Sequence, residues 1–173
     1  MQAIISTTSN WCLGTAEGVP WFDQEETHRF QSLTLGGTCV MGRKTYDLQL
    51  PWMKKCRKVV LSRQPMDLPD ALVHGTITGI AKTYPDAWVV GGAMTFQAFM
   101  PYMRFIYLTK FPQTVQGAVW MPDIAWSLWT TGGKTLSCGR DMIVLERRPL
   151  ARSQYRADSA ATAARKREEA KSS

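Results

Sequence analysis

Short apolar runs recur along residues 1–148, separated by turn residues and by stretches with helical periodicity. Runs such as KVVLS and AWVVGG have nearly continuous, β-branched centres, which is typical of strands covered on both faces. The predicted strands are Ala3–Thr8, Thr38–Met41, Lys58–Ser62, Ala87–Val90, Phe105–Lys110 and Asp141–Arg147. The predicted helices are Asp23–Leu33, Thr45–Leu48, Thr76–Tyr84 and Met94–Phe99.

The alternation of predicted strands and helices indicates an α/β fold. Strands joined through helices form βαβ crossovers and hence a mostly parallel central sheet with flanking helices. From Phe105 onward the pattern indicates consecutive strands, so we expect an antiparallel strand pair to complete the sheet. A chain of 173 residues is long enough for one domain with its own core.

The composition changes near Pro149. Beyond Leu150 the chain runs ARSQYRADSAATAARKREEAKSS and has almost no large apolar side chains. Such a segment buries too little surface to offset the entropy lost on ordering. We therefore predict a folded domain over residues 1–148 and a basic, Ala-rich tail over 149–173, disordered or loosely helical.

Charge and cysteine content narrow the class of protein. The formal net charge is +7, and the tail contributes +3 through six Lys/Arg and three Asp/Glu. A basic body suits either nucleic acid or a phosphorylated cofactor, so charge does not decide between them. The four cysteines lie far apart without a CxxC pair, which favours reduced cytoplasmic thiols over a metal or redox site. No apolar run approaches the roughly 20 residues of a membrane span, and the N-terminus does not resemble a secretory signal.

A predicted strand runs through Val90 into Gly91-Gly92 and then directly into a helix. Two glycines allow the backbone to turn sharply and to approach a ligand without Cβ collisions. The turn would suit a pyrophosphate at the carboxyl end of a strand, although it lacks the GxGxxG spacing. A plain strand-to-helix turn is the alternative.

Two basic segments also follow or flank strands. In CVMGRKTYD, residues 39–47, Arg43, Lys44 and Thr45 open a helix, where cations are unfavourable unless an anion binds there. In KKCRKVVLSR, residues 54–63, basic residues precede a strand that ends at Ser62-Arg63. Solvated basic turns remain the alternative for both segments, and a nucleic-acid patch remains open for the second.

In VPWFDQEETHRF, residues 19–30, Glu26 and Phe30 are four apart and share one helix face. A carboxylate one turn from an aromatic ring would be partly desolvated, which suits proton transfer. The alternative is structural, because Asp23 as N-cap with Glu26 at the third helical position has the pattern of a capping box.

The order and spacing of these motifs resemble the dihydrofolate reductase family. The matching segments, collinear over residues 1–148, are PW at 20–21 with an acid five residues after the Trp, Phe30, VMGRKT at 40–45, RKVVLSR at 57–63, VVGGAMTFQAF at 89–99, IYLT at 106–109 and VLERR at 144–148. The resemblance implies the dihydrofolate-reductase-like fold. It also implies reduction of 7,8-dihydrofolate to 5,6,7,8-tetrahydrofolate by NADPH, with hydride transfer to C6 and protonation at N5.

The resemblance implies roles for substrate residues. Glu26 would hold the pterin and promote protonation at N5, Thr109 would hydrogen-bond that carboxylate, and Trp21 would order water beside it. Arg57 would bind the α-carboxylate of the glutamyl tail, for which a guanidinium is geometrically suited. The apolar walls of the pocket would be Ile4, Phe30 and Tyr107.

The resemblance also implies the cofactor residues. Those at the nicotinamide and pyrophosphate turn, where the Gly-Gly bond is usually cis in this family, would be Val90, Gly91, Gly92, Ala93 and Phe96. The other phosphate contacts would come from Arg43, Lys44 and Thr45, and the 2′-phosphate would lie at Ser62 and Arg63. Gly14 belongs to Asn10–Trp21, which corresponds to a mobile loop closing over the nicotinamide.

Some positions depart from the family pattern. Ile5-Ser6 replaces a pair of alanines, which would tighten or re-polarise the pocket near the carboxylate, and Ala93 replaces a third glycine. Ala118 replaces an aspartate that often bonds the mobile loop. The resemblance does not decide which of Leu50, Trp52 and Met53 lines the pocket.

Two other functional classes stay open at this point. One is a reductase of the same fold acting on another pterin or pyrimidine, and the other is a non-catalytic module that uses the basic tail. We expect a cytoplasmic monomer with small-molecule ligands, antifolate inhibitors among them, rather than a nucleic-acid or membrane partner.

Overall fold

A central sheet of eight strands organises the computed structural model, which describes residues 1–15, 18–19, 23–48, 53–117, 119–137 and 140–149. The strands within these ranges are β1 Gln2–Thr8, β2 Cys12–Gly14, β3 Thr38–Gly42, β4 Arg57–Leu61, β5 Ala71–His74, β6 Trp88–Gly91, β7 Phe105–Phe111, β8 Val119–Trp120, β9 Trp129–Ser137 and β10 Arg140–Arg147. The α-helices are α1 Gln24–Thr34, α2 Arg43–Asp47, α3 Ile77–Thr83 and α4 Ala93–Phe99.

The sheet has the order β5-β4-β3-β6-β1-β7-β10-β9. Every neighbouring pair from β5 to β7 is parallel, whereas β10 is antiparallel to both β7 and β9. The predicted architecture, a mostly parallel sheet completed by a C-terminal antiparallel pair, is therefore confirmed. Strands β2 and β8 form a separate two-stranded ribbon.

Alternate residues of the central strands feed two cores on opposite faces of the sheet, as the period of a strand requires. On one face Ile5 and Val89 pack with Ile80 of α3 and Phe99 of α4. On the other face the core contains Ile4, Met41 and Trp88, with Phe30 and Leu33 of α1 and Tyr46 of α2. Burial on both faces explains why the strand segments have continuous apolar runs.

The six predicted strands correspond to β1, β3, β4, β6, β7 and β10, and no end is displaced by more than one residue. Helix α2 begins at Arg43, two residues before the predicted start, because Gly42 already occupies the N-cap position. The prediction omitted β2, β5, β8 and β9. Of these, β9 carries the polar and glycine-rich sequence WTTGGKTLS, which has no apolar alternation.

The predicted tail lies outside the described residues from position 150 onward. Within the described ranges, no helix combines the length and apolar character needed to cross a membrane.

Candidate active site

Glu26 lies in the first turn of α1 and directs its carboxylate toward the sheet. The helix begins there because the side chain of N-cap Asp23 accepts the backbone N–H of Glu26, at 2.8 Å. Asp23 therefore caps the helix, as the alternative interpretation proposed. The Glu26 side chain is nevertheless only 12% exposed, and its oxygens bind residues of β1, β7 and α1. The Glu26 backbone N–H is capped by Asp23, while the Glu26 carboxylate is partly buried against the sheet.

Two hydroxyl groups on adjacent strands hold the Glu26 carboxylate. Ser6 of β1 and Thr109 of β7 are partners in the parallel register, so their side chains emerge together on one face. The Ser6 hydroxyl donates to Oε1 of Glu26 at 2.5 Å, and the Thr109 hydroxyl donates to Oε2 at 3.1 Å. Ser6 thus places a polar group beside the carboxylate, which is one of the two effects expected of Ile5-Ser6.

Arg29 is a third partner of this carboxylate, and the sequence analysis missed it. Its Nη1 donates to Oε2 of Glu26 at 2.8 Å and to Oγ1 of Thr109 at 3.0 Å. The Arg29 side chain is only 4% exposed, so the ion pair lies almost entirely within the protein. The i,i+3 spacing of an acid and a base on a predicted helix is the signal that would have suggested the pair.

Apolar side chains form a wall beside the carboxylate. Ile4 is buried in the core on this face, and Phe30 and Tyr107 pack partly buried against the same core. The ring of Tyr107 lies 5.1 Å from that of Trp88, in a tilted arrangement. The structure thus brings together the three residues predicted as pocket walls.

Met53 belongs to the same core and is 3% exposed. Its two competitors for that place in the pocket, Leu50 and Trp52, lie outside the described residues, as does Trp21. Arg57 opens β4 with an exposed side chain, and its backbone N–H donates to the Gly37 carbonyl at 2.9 Å. Its predicted binding of the glutamyl carboxylate stays a prediction.

The Gly91-Gly92 turn joins β6 to α4 and leaves room at the backbone. Gly91 has φ +130°, a conformation that L side chains rarely adopt, and the Gly91-Gly92 bond is cis, as the resemblance implied. A Cβ at Gly91 would stand 3.8 Å from the Phe96 ring and 3.6 Å from Oγ1 of Thr45. Val90 precedes this turn half-buried, and Ala93 begins α4.

The turn after β3 lies against the Gly91-Gly92 turn, because Met41 of β3 pairs with Gly91 of β6. A Cβ at Gly42 would come within 2.8 Å of Oγ1 of Thr95, so a side chain there would collide with α4. The register also pairs Gly42 with Leu61, which places the end of β4 on the other side. The turns after β3, β4 and β6 are the three segments predicted to bind the cofactor. They therefore lie side by side at the carboxyl ends of these parallel strands.

The comparisons with known proteins agree with this arrangement. The sequence model of the family described as dihydrofolate reductase matches residues 1–138. This chain belongs to the dihydrofolate reductase family.

Three relatives in that family share between 25% and 37% of the aligned residues with this chain. It is 25% identical to a dihydrofolate reductase of Haemophilus influenzae over 129 residues, covering 73% of this chain and 81% of the relative. It is 27% identical to that of Neisseria gonorrhoeae over 141 residues, covering 76% and 85%. Identity rises to 37% with that of Mycobacterium tuberculosis, over 103 residues that cover 57% and 63%.

A solved structure supports the fold assignment. It is the dihydrofolate reductase of Enterococcus faecalis complexed with NADP(H) and RAB-propyl, with a TM-score of 0.76. The similarity covers 86% of this chain and 96% of that one, at 22% identity, and at this identity it bears on the fold alone.

In this dihydrofolate reductase, some of the residues predicted to bind the cofactor phosphates contact neighbouring residues of the chain. Arg43 and Lys44 are exposed in α2, and Nε of Arg43 pairs with Oδ1 of Asp47 at 2.6 Å. The Ser62 hydroxyl donates to the Gln64 carbonyl at 2.8 Å, so it stabilises a local turn, and Arg63 is exposed. Their phosphate contacts stay predictions.

Gly14 lies in the β2–β8 ribbon, within the segment Asn10–Trp21 that is predicted to close over the nicotinamide. It pairs with Val119, and a Cβ at this position would be 2.6 Å from the Gly18 carbonyl oxygen. The close approach of two backbone segments explains the glycine without a ligand. Ala118, which replaces an aspartate that often bonds the mobile loop, lies outside the described residues.

Proposed function

We propose that this chain reduces 7,8-dihydrofolate to 5,6,7,8-tetrahydrofolate with NADPH, by hydride transfer to C6 and protonation at N5. The observation that carries the proposal is the partly buried Glu26 carboxylate, held by hydroxyls of two adjacent strands beside an apolar wall. A partly buried carboxylate that lies beside apolar side chains and is held in a fixed orientation is a candidate for acid–base chemistry.

The Glu26 carboxylate acts on the pterin ring. An ionised carboxylate accepts hydrogen bonds only, so it binds and orients a ring that presents N–H donors. Its negative charge also favours the protonated form of the neighbouring N5. Ser6 and Thr109 limit the carboxylate to one orientation, since each hydroxyl occupies one oxygen.

The wall of Ile4, Phe30 and Tyr107 holds the planar ring and excludes water from it. Arg57, exposed at the start of β4, is assigned to the glutamyl carboxylate. The substrate thus meets an acid at its ring and a base at its tail.

The residues at the carboxyl ends of β3, β4 and β6 fit a dinucleotide. Gly91 and Gly92 leave the space that a Cβ would fill, and the basic residues Arg43, Lys44 and Arg63 at the ends of β3 and β4 suit phosphates. NADPH supplies the hydride when it is bound, and the protein supplies alignment and electrostatics.

The test is a spectrophotometric assay of NADPH oxidation with and without dihydrofolate. We expect oxidation only when dihydrofolate is present. Glu26→Gln should reduce turnover by about 10²-fold or more at neutral pH, and far less at acidic pH where the substrate is already protonated.

Glu25→Gln is the matched control, because Glu25 is the neighbouring acid on α1 and is exposed. It should leave turnover within about twofold of the unaltered enzyme. An equal loss in Glu26→Gln at both pH values would contradict the proton role. NADPH binding without turnover would indicate a different substrate.

We also place the enzyme in the cytoplasm, as a monomer whose ligands include antifolates. The cysteines Cys12, Cys39 and Cys56 are free thiols, as is typical of a reducing compartment. Sedimentation at assay concentration should give a single species of about 19.5 kDa.

A further inference from the structure

We infer that Arg29 is a positioning and specificity residue of this pocket. It balances the charge of Glu26 and so favours a neutral ring over a cationic ring of similar shape. The inference rests on the proposed function, since it concerns the ligand that Glu26 binds.

Arg29 is built into the carboxylate site rather than into the surface. One nitrogen, Nη1, reaches both Oε2 of Glu26 and Oγ1 of Thr109, at 2.8 and 3.0 Å. Thr109 is 1% exposed and donates its own proton to the same Oε2. The three groups form a closed arrangement in which the guanidinium fixes the direction of the Thr109 hydroxyl as well as the carboxylate.

Among the described groups around the Glu26 carboxylate, Arg29 is the charged side chain that contacts it. β1 contributes the neutral hydroxyl of Ser6, and β7 contributes that of Thr109. On α1, Asp23 is directed to the backbone N–H of Glu26, and on β7 the Nζ of Lys110 lies 4.0 Å from the centroid of the Trp11 ring. Among these contacts of the Glu26 carboxylate, Arg29 supplies the positive charge that offsets its negative charge.

A carboxylate that is ion-paired with an arginine discriminates between neutral and protonated rings differently from a carboxylate without such a partner. An uncompensated buried carboxylate would draw a proton onto a basic ring and bind it as a cation. A guanidinium within about 4–6 Å of a titrating group opposes this, and such a charge changes a proton equilibrium by about ten- to thousandfold. A pterin that binds as a neutral ring and takes up its proton only during the reaction loses little affinity from the presence of Arg29, whereas a ring that is already protonated when it binds is repelled by it.

The experiment compares two ligands in matched variants. One is folate, with a neutral pterin ring, and the other is a 2,4-diaminopyrimidine, whose ring nitrogen takes up a proton readily. Dissociation constants from fluorescence titration give the ratio of the two affinities. In Arg29→Met the ratio should shift toward the diaminopyrimidine by about tenfold or more.

Two further variants separate charge from packing. Arg29→Lys keeps the charge and should keep the ratio close to that of the unaltered enzyme. Arg104→Met removes an exposed arginine that pairs with Glu146 at 3.6 Å and should also leave the ratio unchanged. An unchanged ratio in folded Arg29→Met, or a ratio in Arg29→Lys equal to that in Arg29→Met, overturns the inference.

A measurement on the unaltered enzyme covers the case in which Arg29→Met fails to fold. Calorimetry in buffers of different ionisation enthalpy counts the protons taken up when the diaminopyrimidine binds above its own pKa. We expect uptake well below one proton per ligand, and uptake near one would overturn the inference. Turnover of dihydrofolate by the same preparation tests the proposed function separately, because it does not depend on this proton count.

Discussion

Replacing Glu26 by Gln should weaken the fold as well as the reaction, because it leaves the Arg29 guanidinium buried without its carboxylate. The Arg29 side chain is 4% exposed, and its Nη1 makes a 2.8 Å contact with Oε2 of Glu26. Water cannot readily take over that contact. The replacement therefore removes the negative charge that faces Nη1 of Arg29, while the hydrogen bond from Nη1 to Thr109 remains.

The structure sets the size of this effect. Removing one partner of a buried ion pair costs about 3–5 kcal/mol of unfolding free energy. The Gln amide oxygen still accepts a hydrogen bond from Arg29, and the Glu26 side chain is 12% exposed, so we expect the lower end, about 3 kcal/mol. This is a large share of a total stability of about 5–15 kcal/mol.

The assay is urea unfolding followed by circular dichroism for Glu26→Gln, Arg29→Met and the double variant. The double variant should recover part of the loss, with a coupling energy of about 2 kcal/mol, since both charges are then absent. Glu146→Gln is the matched control at an exposed pair, Arg104–Glu146 at 3.6 Å, and should cost less than about 1 kcal/mol.

Two results would refute this reasoning. One is a Glu26→Gln variant as stable as Glu146→Gln, which would mean that burial of Arg29 does not matter. The other is a double variant whose loss equals the sum of the two single losses, which would mean that the charges do not interact.

Three further predictions concern the fold around the site. Gly91→Ala forces an L residue to φ +130° and should cost about 1–3 kcal/mol in thermal unfolding, with weaker NADPH binding by titration. Phe99→Ala removes a fully buried ring and should cost about 3–5 kcal/mol in urea unfolding, and a loss below 1 kcal/mol would contradict the packing of α4. Lys58 and then Tyr46 hold the pKa of Asp70 below its usual 3.8 through side-chain hydrogen bonds. Asp70 therefore stabilises the fold above pH 3.8 and loses that contribution as pH falls through the lower folded pKa. In urea unfolding, the free energy of unfolding of Asp70→Asn should be below that of the unaltered protein near neutrality and should converge with it in acid.

The fold was largely predictable from the sequence because strands buried on both faces of a parallel sheet have short, continuous apolar runs. Strands such as Arg57–Leu61 and Trp88–Gly91 have apolar centres whatever their neighbours are. Trp129–Ser137 was missed because its polar and glycine-rich residues form a strand only through pairing with Arg140–Arg147.

The sequence by itself determined the apolar segments, the acid at Glu26 and the paired glycines that end a strand, since these features belong to short stretches of chain. The tertiary structure alone decided that Ser6 and Thr109 face the same carboxylate, because strand register joins residues more than one hundred positions apart. It also decided that Arg29 is buried: docking of Gln24–Thr34 on the sheet, and not its own helical spacing, removes that guanidinium from water.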